Sequence, residues 1–301
     1  MDNRWFAVSN PVSGGGRGAR DREQIAALVR GSGLDVKLVA SDYHGHTTKL
    51  AAEAARLGYR RFLAIGGDGT LNEMLNGALA AGVVGKGEAV FGLVPVGRGN
   101  DWARTHRIPT RYRDAIAVLS CGRTHPHDVG VAEMATDRSR RLFINAAGAG
   151  FDAHVVERTR DGRLGAVSYL LALPASLLSF RAPELDLRSE QQAISGKVFL
   201  AFASVNKYCG GGMLIAPRAE FDDGLLDVTV VSEVSLWELL LNVKKLFDGT
   251  LPSYRKVRTF RTPSVEISGP IPVNSEADGE LIGATPIRFS MMPRYIKVAV
   301  P

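Results

Sequence analysis

Short apolar runs alternate with helical patterns along the chain as far as Arg123. The apolar runs predict four strands, at Arg4–Ser9, Leu34–Ala40, Arg61–Ile65 and Val90–Val94. Apolar residues spaced three or four apart predict the helices between them, at Arg20–Arg30, Thr48–Leu57 and Leu71–Ala81. Strands joined by helices of this length pair in parallel through right-handed crossovers. The pattern therefore predicts an open α/β layer that binds its ligands at the carboxyl ends of the strands.

Beyond Arg123 the pattern becomes typical of β structure. Apolar runs predict six strands, at Val129–Met134, Arg141–Ala146, Lys197–Val205, Leu226–Val231, Ser264–Ile267 and Ile287–Ser290. Helices are predicted among them at Asp152–Thr159, Val167–Leu178 and Leu236–Phe247. We therefore predict two domains, a nucleotide-binding α/β domain over residues 1–127 and a β-rich domain over residues 128–290.

Composition narrows the class of protein without selecting a function. Of the 301 residues, 45% are hydrophobic and 23% are charged, which argues against a disordered or fibrous chain. Lysine and arginine outnumber aspartate and glutamate by 37 to 31, an excess that suits a nucleotide, a phospholipid surface or nucleic acid. The two cysteines, Cys121 and Cys209, have neither the number nor the spacing of a disulfide framework or a zinc site.

The sequence also favours a cytoplasmic protein. No basic leader followed by a long apolar stretch precedes the first predicted strand. The most apolar window, Ala166–Phe180, contains Pro174 and is shorter than the ~20 residues that span a bilayer. We therefore expect any membrane contact to be peripheral.

The most informative segment is Ile65–Glu73, with the sequence Ile-Gly-Gly-Asp-Gly-Thr-Leu-Asn-Glu. It joins a predicted strand to a predicted helix, so its backbone amides should face the carboxyl edge of the sheet, where they favour phosphate. Its glycines permit close backbone approach. Asp68 would repel a phosphate unless a divalent cation or a proton lies between them. The segment indicates metal-assisted phosphoryl chemistry, and the alternative is a glycine-rich turn whose aspartate serves only the backbone.

Two sequence patterns qualify this interpretation. Thr70 and Glu73 have the Thr-x-x-Glu spacing of a capping box, which predicts that the helix begins at this point. The chain contains no GxxxxGK[ST] loop, and this segment does not fit GxGxxG, which argues against a dehydrogenase.

Two further loops follow strands of the same predicted sheet. Asn10–Gly18 contains four glycines and Arg17, and is predicted to be a flexible loop able to cover a triphosphate; a plain surface turn is the alternative. Asn100 and Asp101 follow another strand and should emerge at the same edge as Asp68, where two acids can share one magnesium ion. Helix capping by Asn100 or Asp101 is the alternative there.

Taken in order, these segments resemble the diacylglycerol kinase catalytic-domain superfamily, which includes soluble bacterial lipid kinases, sphingosine kinases and ceramide kinases. The octet Gly66–Glu73 carries most of the resemblance. The other matching segments are Asn10–Gly16, Pro95–Arg104, Asn145–Asp152, Gly210–Met213, Asp223–Asp227 and Asp278–Glu280. The resemblance implies an ATP-dependent kinase that uses Mg²⁺ and phosphorylates a lipid hydroxyl.

The resemblance also implies which residues bind the nucleotide and the metal. The implied nucleotide-binding residues are Asn10, Ser41, Gly66, Gly67, Asp68, Gly69, Thr70, Asn72, Glu73, Arg98 and Asn100. Arg98 replaces the threonine that often contacts the nucleotide in the family, and we expect it to pair with a phosphate instead. The implied metal ligands are Asp68, Asp101 and Asp128, with a separate structural magnesium bound by the Asp223 carboxylate and the backbone carbonyls of Glu220 and Leu225.

Asp278 and Glu280 are the candidates for the base that accepts the proton of the lipid hydroxyl, and the sequence does not separate them. From the residues alone, the Asp-Gly pair is equally typical of a hairpin turn. His125 and His127 have a spacing that could suit a metal, but we interpret them as a solvated linker pair and assign them no chemistry.

The implied architecture is a Rossmann-like, NAD-kinase-like α/β domain completed by residues 291–301, and a β-sandwich-like domain, with the active site in the cleft between them. Ala166–Phe180 and Leu236–Phe247 are candidate walls of an apolar groove for the lipid, with ordinary core helices as the alternative. In the second segment, Lys244 and Lys245 could face anionic headgroups. The expected partner is a lipid presented at a membrane surface, within phospholipid metabolism.

Several alternatives remain open. NAD kinases share the Gly-Gly-Asp-Gly-Thr loop, although the Asn72-Glu73 continuation and the Asn100-Asp101 pair favour a lipid kinase. A catalytically inactive regulator that binds a nucleotide or a lipid is the non-enzymatic alternative. Nucleic-acid binding is not expected, because only mild basicity supports it. The acceptor is open among diacylglycerol, a sphingoid base, ceramide, phosphatidylglycerol and other lipids, and so is the oligomeric state, with a homodimer as one option.

Overall fold

The computed structural model describes residues 3–159, 176–177 and 179–301. The chain divides into two compact units: residues up to Asp128 together with Arg294–Pro301, and Val129–Pro293. The prediction of an α/β domain followed by a β-rich domain is confirmed. The predicted helix at Val167–Leu178 lies almost wholly outside the described residues.

The first unit is built on a parallel sheet. Its strands are β1 (Trp5–Ser9), β2 (Val36–Ala40), β3 (Arg61–Gly66) and β4 (Val90–Pro95). They lie in the order β2-β1-β3-β4, and the end of the last strand of the chain pairs in parallel with β4 through Lys297 and Val298. Trp5, Leu63 and Val94 belong to the buried core of this unit. The apolar runs became strands because their side chains are buried by the helices between them.

Six helices connect these strands. They are α1 (Ser13–Arg20), α2 (Arg22–Arg30), α3 (His46–Arg56), α4 (Asp68–Ala80), α5 (Asp101–Thr105) and α6 (Tyr112–Ser120). The sequence analysis missed α1, α5 and α6. Three glycines open α1 with φ of 65°, 71° and 92° at Gly14, Gly15 and Gly16, so a tight turn precedes its helical part. The loop predicted over Asn10–Gly18 is therefore confirmed as far as Gly16, and Arg17 and Gly18 belong to the helix.

The predicted start of α4 was also wrong. The helix begins at Asp68, three residues before the predicted Leu71, and its N-cap is Gly67. Thr70 therefore lies inside the first turn, where its hydroxyl accepts a hydrogen bond from Asn10 Nδ2 at 3.1 Å. Thr70 and Glu73 do not form a capping box, because the Thr70 hydroxyl contacts another loop instead of the amides of its own helix.

The second unit is mainly antiparallel, and β5 (Thr124–Met134) leads into it. The other strands are β6 (Arg140–Phe143), β7 (Ala146–Gly150), β8 (Glu184–Arg188), β9 (Ala193–Ser204), β10 (Tyr208–Cys209), β11 (Met213–Leu214), β12 (Leu226–Ser232), β13 (Val257–Thr262), β14 (Ser264–Ser268), β15 (Asn274–Ala277), β16 (Glu280–Ala284) and β17 (Ile287–Ala299). Antiparallel pairing runs in the order β16-β15-β7-β9-β8-β14-β17, and β12 lies between β9 and β13. The helices with bounds in the described part of this unit are α7 (Phe151–Thr159), α8 (Leu236–Asn242) and α9 (Lys245–Asp248), with a 3₁₀ turn at Leu251–Ser253.

Two predictions for this unit require correction. The strand predicted at Arg141–Ala146 is interrupted, because the amides of Ile144, Asn145 and Ala146 donate to a side chain, Asp278, instead of a neighbouring strand. The helix predicted at Leu236–Phe247 consists of two short helices with no buried residue, so the alternative of an ordinary core helix was wrong. Within the part of the chain that the structure describes, no helix has the length and apolar character needed to cross a membrane.

The crossing of α3 and α4 depends on a glycine. A Cβ atom on Gly77 would lie 2.1 Å from the Thr48 carbonyl oxygen, whereas a Cβ on Gly69, in the same helix, would meet nothing within 4 Å. We predict that Gly77→Ala lowers the free energy of unfolding by about 1–3 kcal/mol, because the two helices must separate. Gly69→Ala, the matched control, should change it by no more than about 0.5 kcal/mol. Urea unfolding measures both, and equal effects would refute the close-contact explanation.

Candidate active site

The carboxyl ends of β3 and β4 bring two predicted loops together. Gly67 precedes α4 in an extended conformation, and a Cβ on it would lie 3.1 Å from the Cα atom of Gly97, in the loop after β4. A Cβ on Gly97 would in turn lie 2.6 Å from the Cα atom of Gly67. The two glycines therefore allow a backbone contact that side chains would prevent.

Asp68 fixes the loop after β4 by accepting hydrogen bonds from it. Its Oδ2 accepts the backbone N–H of Asp101 at 3.0 Å, and its Oδ1 accepts that of Trp102 at 3.0 Å. Burial and then the neighbouring Asp101 carboxylate raise the pKa of Asp68, while the two amides oppose this shift. The structure thus brings two predicted metal ligands close enough to repel each other.

Asp101 and Asn100 have different roles in the same loop. The buried Asp101 carboxylate accepts a hydrogen bond from Arg104 Nη1 at 2.5 Å. Asn100 has a φ of 51°, and its Nδ2 donates to the Gly97 carbonyl at 2.7 Å, so its side chain closes the loop and does not cap α5. Asn100 Oδ1 is buried and has no hydrogen-bond partner among the described residues. A buried oxygen of this kind needs a donor, which a bound ligand or water could supply.

The first glycine loop contacts both of the others. Asn10 donates to Thr70, and the Ser13 hydroxyl lies 3.4 Å from the Thr70 hydroxyl. Arg17 Nη2 donates to the carbonyls of Val96 and Gly97 at 2.7 and 2.8 Å, so this cation joins α1 to the loop after β4. The sequence analysis expected a cation near phosphate here and missed this internal role, for which the sequence carries no signal.

Arg98 lies against the first glycine loop. Its side chain occupies the space that a Cβ on Gly15 would fill, with Nη2 2.1 Å from that position. Arg98 is exposed. This position leaves its guanidinium accessible for the phosphate contact that the sequence predicts.

The remaining predicted nucleotide residues support neighbouring elements. Ser41 is buried beyond β2, and its amide donates to the Ser9 carbonyl at 2.9 Å. Asn72 accepts a hydrogen bond from Asn76 within α4. Glu73 accepts the amide of Gly45 at 3.1 Å and lies 3.2 Å from His44 Nδ1. These contacts position the loop that precedes α3, and the nucleotide-binding role of the three residues stays a prediction.

Asp128 is buried where the chain leaves the first unit. Its Oδ1 accepts the amide of Arg294 at 2.6 Å, where the chain returns to that unit. The preceding His127 is fully buried, with its ring 5.0 Å from that of His106. The interpretation of His125 and His127 as a solvated pair was therefore wrong for His127, whose ring packs in the interior.

In the second unit, Asp278 and Gly279 form the turn of the hairpin between β15 and β16. Their φ angles are 49° and 84°, as expected for a tight Asp-Gly turn. The Asp278 carboxylate accepts three backbone amides, those of Ile144, Asn145 and Ala146, at 2.8, 2.9 and 3.2 Å. The hairpin alternative is thus confirmed, and both oxygens of Asp278 are engaged in tying the hairpin to the start of β7.

Glu280 follows the turn and is partly exposed. Its Oε2 forms an ion pair with Arg141 Nη2, and its side chain retains 28% exposure. Arg141 was not identified as a site residue from the sequence, where an arginine next to Arg140 at the start of a strand gives no signal. Both candidate bases are partly exposed; amides bond to both carboxylate oxygens of Asp278, whereas Arg141 pairs with Oε2 of Glu280.

Two interacting acids lie at this hairpin: Glu276, in its strand β15, and Asp152, in α7. Glu276 Oε2 accepts the amide of Gly279 at 2.7 Å. Burial raises the pKa of Asp152 to about 6. Burial, followed by the Asp152 carboxylate, raises the pKa of Glu276 well above its ordinary value. Two such carboxylates cannot both ionise in a desolvated position, so we infer that they share a proton, which Glu276 retains more strongly.

The predicted structural magnesium site has a different arrangement. Asp223 Oδ1 accepts the amide of Leu225 at 3.0 Å, and Asp223 Oδ2 pairs with Arg261, which also contacts Asp227. Glu220 is exposed beside this group. Arg261 is the charged partner of Asp223 in this structure, and the role of Asp223, Glu220 and Leu225 as magnesium ligands stays a prediction.

The acid pair makes the stability of the protein depend on pH. The pKa of Asp152 is about 6 in the folded protein and 3.8 in an unperturbed aspartate, so the folded state binds the proton more tightly. The resulting stabilisation is complete below pH 3.8 and is lost as the pH rises through about 6. We therefore predict that Asp152→Asn, which removes one acid, raises the melting temperature at pH 8 by roughly 2–5 °C and by less at pH 5.

Thermal unfolding at both pH values measures this effect. Asp35→Asn, at an exposed position, is the matched control and should give the same small change at both pH values. A melting temperature for Asp152→Asn that lies below the wild-type value by the same amount at pH 5 and pH 8 would exclude the shared proton.

Comparison with known proteins finds a family model for each half of the chain. The family model described as a diacylglycerol kinase catalytic domain matches residues 4–132, and the model described as a YegS C-terminal NAD kinase beta sandwich-like domain matches residues 145–300. A diacylglycerol kinase from Mycobacterium tuberculosis is 30% identical over 98% of this chain and 94% of its own length. A protein named "Probable lipid kinase YegS-like" from Stenotrophomonas maltophilia is 28% identical over 99% and 96%, respectively.

A solved structure shares the fold at lower sequence identity. A diacylglycerol kinase from Bacillus anthracis str. Sterne superimposes with a TM-score of 0.76 at 18% identity, covering 99% of this chain and 97% of that one. The structural match shows the fold, and the sequence matches along almost the whole chain show the family. Together with the glycine-acid loop at the end of β3, they establish that this chain belongs to the diacylglycerol kinase family of lipid kinases.

Proposed function

We propose that this chain transfers the γ-phosphoryl group of ATP to the hydroxyl group of a lipid, with magnesium, and that diacylglycerol is the first acceptor to test. The observation that carries the proposal is the pairing of Asp68 with the start of α5, which holds a second carboxylate, Asp101, beside it. A buried acid, Asp101, and a partly buried one, Asp68, beside glycine-rich turns at the carboxyl ends of parallel strands suit a cation-bound polyphosphate.

Several groups at this sheet edge would suit the nucleotide. Helix α4 has 13 residues, and its first amides follow the glycine turn, where they favour phosphate. Arg98 is exposed next to Gly15 and offers a positive charge. Asn100 Oδ1 needs a hydrogen-bond donor. These features support nucleotide binding through backbone amides, one guanidinium and one amide oxygen.

The residues at the same edge also fit a divalent cation. The pKa of Asp68 is raised by burial and by Asp101, and a cation between the two carboxylates would relieve both effects. We propose that Asp68 and Asp101 hold magnesium, with Asp128 as a further member of the acidic group. When bound, magnesium would neutralise negative charge on the phosphates during transfer.

In the proposed transfer, the bond between the γ-phosphorus and the bridging oxygen of ATP breaks, so that ADP leaves. A bond forms from that phosphorus to the lipid oxygen, and the hydroxyl proton passes to a carboxylate. We propose Glu280 as that base. Its carboxylate is partly exposed, whereas three amides occupy the oxygens of Asp278. Asp278 would then position the hairpin that carries Glu280.

We predict that the chain phosphorylates a lipid from a panel of diacylglycerol, sphingoid bases, ceramide and phosphatidylglycerol, assayed with labelled ATP and Mg²⁺. Asp68→Asn should reduce turnover by roughly 10²-fold or more, because a charge that organises the phosphates is lost. Asp35→Asn should retain wild-type turnover. Since Asp68 also accepts two amides, the unfolding of each variant is measured in parallel.

The same assay separates the alternatives. Equal rates for the wild type and Asp68→Asn would exclude the proposed metal role. Phosphorylation of NAD without any lipid would identify an NAD kinase, and nucleotide or lipid binding without turnover would identify a regulator. Either result would overturn the lipid kinase proposal.

A second prediction separates Glu280 from Asp278. Glu280→Gln should lower kcat by roughly 10²- to 10⁴-fold, because proton acceptance is lost, and leave the affinity for ATP within about threefold. Asp278→Asn should instead lower the melting temperature, because an asparagine presents only one acceptor oxygen to three amides. Steady-state kinetics, ATP titration and thermal unfolding measure these effects. Parallel losses of kcat and ATP affinity in Glu280→Gln would place Glu280 in the nucleotide site instead.

A further inference from the structure

The helical segment from Leu236 to Asp248 exposes an apolar face. It comprises α8 and α9, and the two residues between them, Val243 and Lys244, also have helical dihedral angles. Four large apolar side chains lie outward with high exposure: Trp237 at 75%, Leu240 at 54%, Leu241 at 83% and Phe247 at 56%. Exposed contiguous apolar surface of this kind marks an interaction site. We call these four residues the outward face.

The outward face lies outside the buried clusters of the described residues. Leu239 and Leu246 of the same segment pack against the buried cluster that contains Phe199 and Val231. The segment is thus attached to its unit by one apolar face and presents a second one to solvent. A surface helix that is attached to a core normally has a polar outer face, so the second apolar face requires another explanation.

Charges around the outward face favour an anionic amphiphile. Residues 233–258 contain five basic residues (Lys244, Lys245, Arg255, Lys256 and Arg258) and three acidic ones (Glu233, Glu238 and Asp248). Hydrogen bonds, the first from Lys256, lower the pKa of Glu238 to about 2, so this acid is kept as an ion-paired carboxylate. Lys244 is exposed within the segment. Lysine beside tryptophan and leucine is the combination that binds at a phospholipid interface.

A neighbouring cavity is consistent with a lipid. It has a volume of about 310 Å³ and lies at the start of α8. Its apolar wall includes Phe180, Phe199 and Leu239, and Arg181 lines it as well. Glu233 lines it too, so the cavity offers both charges, and its apolar wall suits an acyl chain.

We propose that the outward face is the surface by which this protein docks on a membrane containing anionic phospholipid. Trp237 would sit at the headgroup level, Leu240, Leu241 and Phe247 would enter the acyl boundary, and Lys244 would contact the headgroups. The proposal deepens the proposed function, on which its biological purpose rests, because a lipid kinase must reach an acceptor held in a bilayer. Docking itself requires neither ATP nor turnover, so it can be measured independently.

The tryptophans of this chain provide a specific probe. The sequence has three, and the other two, Trp5 and Trp102, are 1% and 0% exposed. Added vesicles of phosphatidylcholine with one-third phosphatidylglycerol should therefore shift the emission of Trp237 to shorter wavelength, and brominated lipids should quench it. Vesicles of phosphatidylcholine alone should bind several-fold more weakly, since lysine contacts with anionic lipid are lost.

Vesicle co-sedimentation without ATP tests the surface. Leu241→Asp should weaken binding by about tenfold or more, and Lys244→Glu by several-fold, with the lysine effect disappearing at high salt. Ile271→Asp is the matched control, because Ile271 is 71% exposed outside the segment, and it should bind as the wild type does. Thermal unfolding of each variant checks that it is folded.

The outcomes distinguish this proposal from the proposed function. Equal binding by wild type, Leu241→Asp and Ile271→Asp, or no binding by the wild type, would overturn the docking surface. Self-association that Leu241→Asp abolishes, without vesicle binding, would assign the face to contacts between copies of the chain and would also overturn it. Vesicle binding through Trp237 together with no phosphorylation of any lipid would leave the docking surface standing and reject the kinase proposal.

Discussion

The Asp68 carboxylate is the contact on which the candidate active site depends. It accepts the first two amides of α5, so an acid at the start of one helix fixes where the next helix begins. The contact requires the close approach of Gly67 and Gly97, since neither position has room for a Cβ atom. It also brings Asp101 near, and burial first and then Asp101 raise the pKa of Asp68, which is the basis of the proposed cation site. The Asp68 carboxylate therefore both positions α5 and is a proposed metal ligand.

The second unit accommodates its buried acids in two different ways. Three backbone amides donate hydrogen bonds to the Asp278 carboxylate and supply positive dipoles that stabilise it. Asp152 and Glu276 have little such support, and their raised pKa values indicate that they keep a proton between them. Asp278 and Glu276 both accept amides that hold the hairpin between β15 and β16 in place, and that hairpin carries Glu280. The acids that position the proposed base, Asp278 and Glu276, have no direct part in the proposed proton transfer.

The apolar segment at α8 and α9 shows a separate division of roles. Its inner side chains pack on the core, its acid is ion-paired, and its outer side chains are exposed. Burying that outer face would gain free energy in a membrane and gains none in water. The proposed docking on a membrane would supply the apolar environment that this face lacks in water.

The sequence alone determined the alternation of strands and helices, the α/β and β-rich halves, and the family, because local periodicity and glycine-acid spacing reflect backbone geometry within a few residues. It could not determine that Thr70 would bond to Asn10 instead of capping its helix, or that His127 would be buried. It also left the two candidate bases unseparated. That distinction comes from amides 132 to 134 residues away from Asp278, and only the folded chain brings such groups together. Local preferences fix the elements, whereas the protonation and accessibility of a side chain depend on neighbours that the tertiary structure selects.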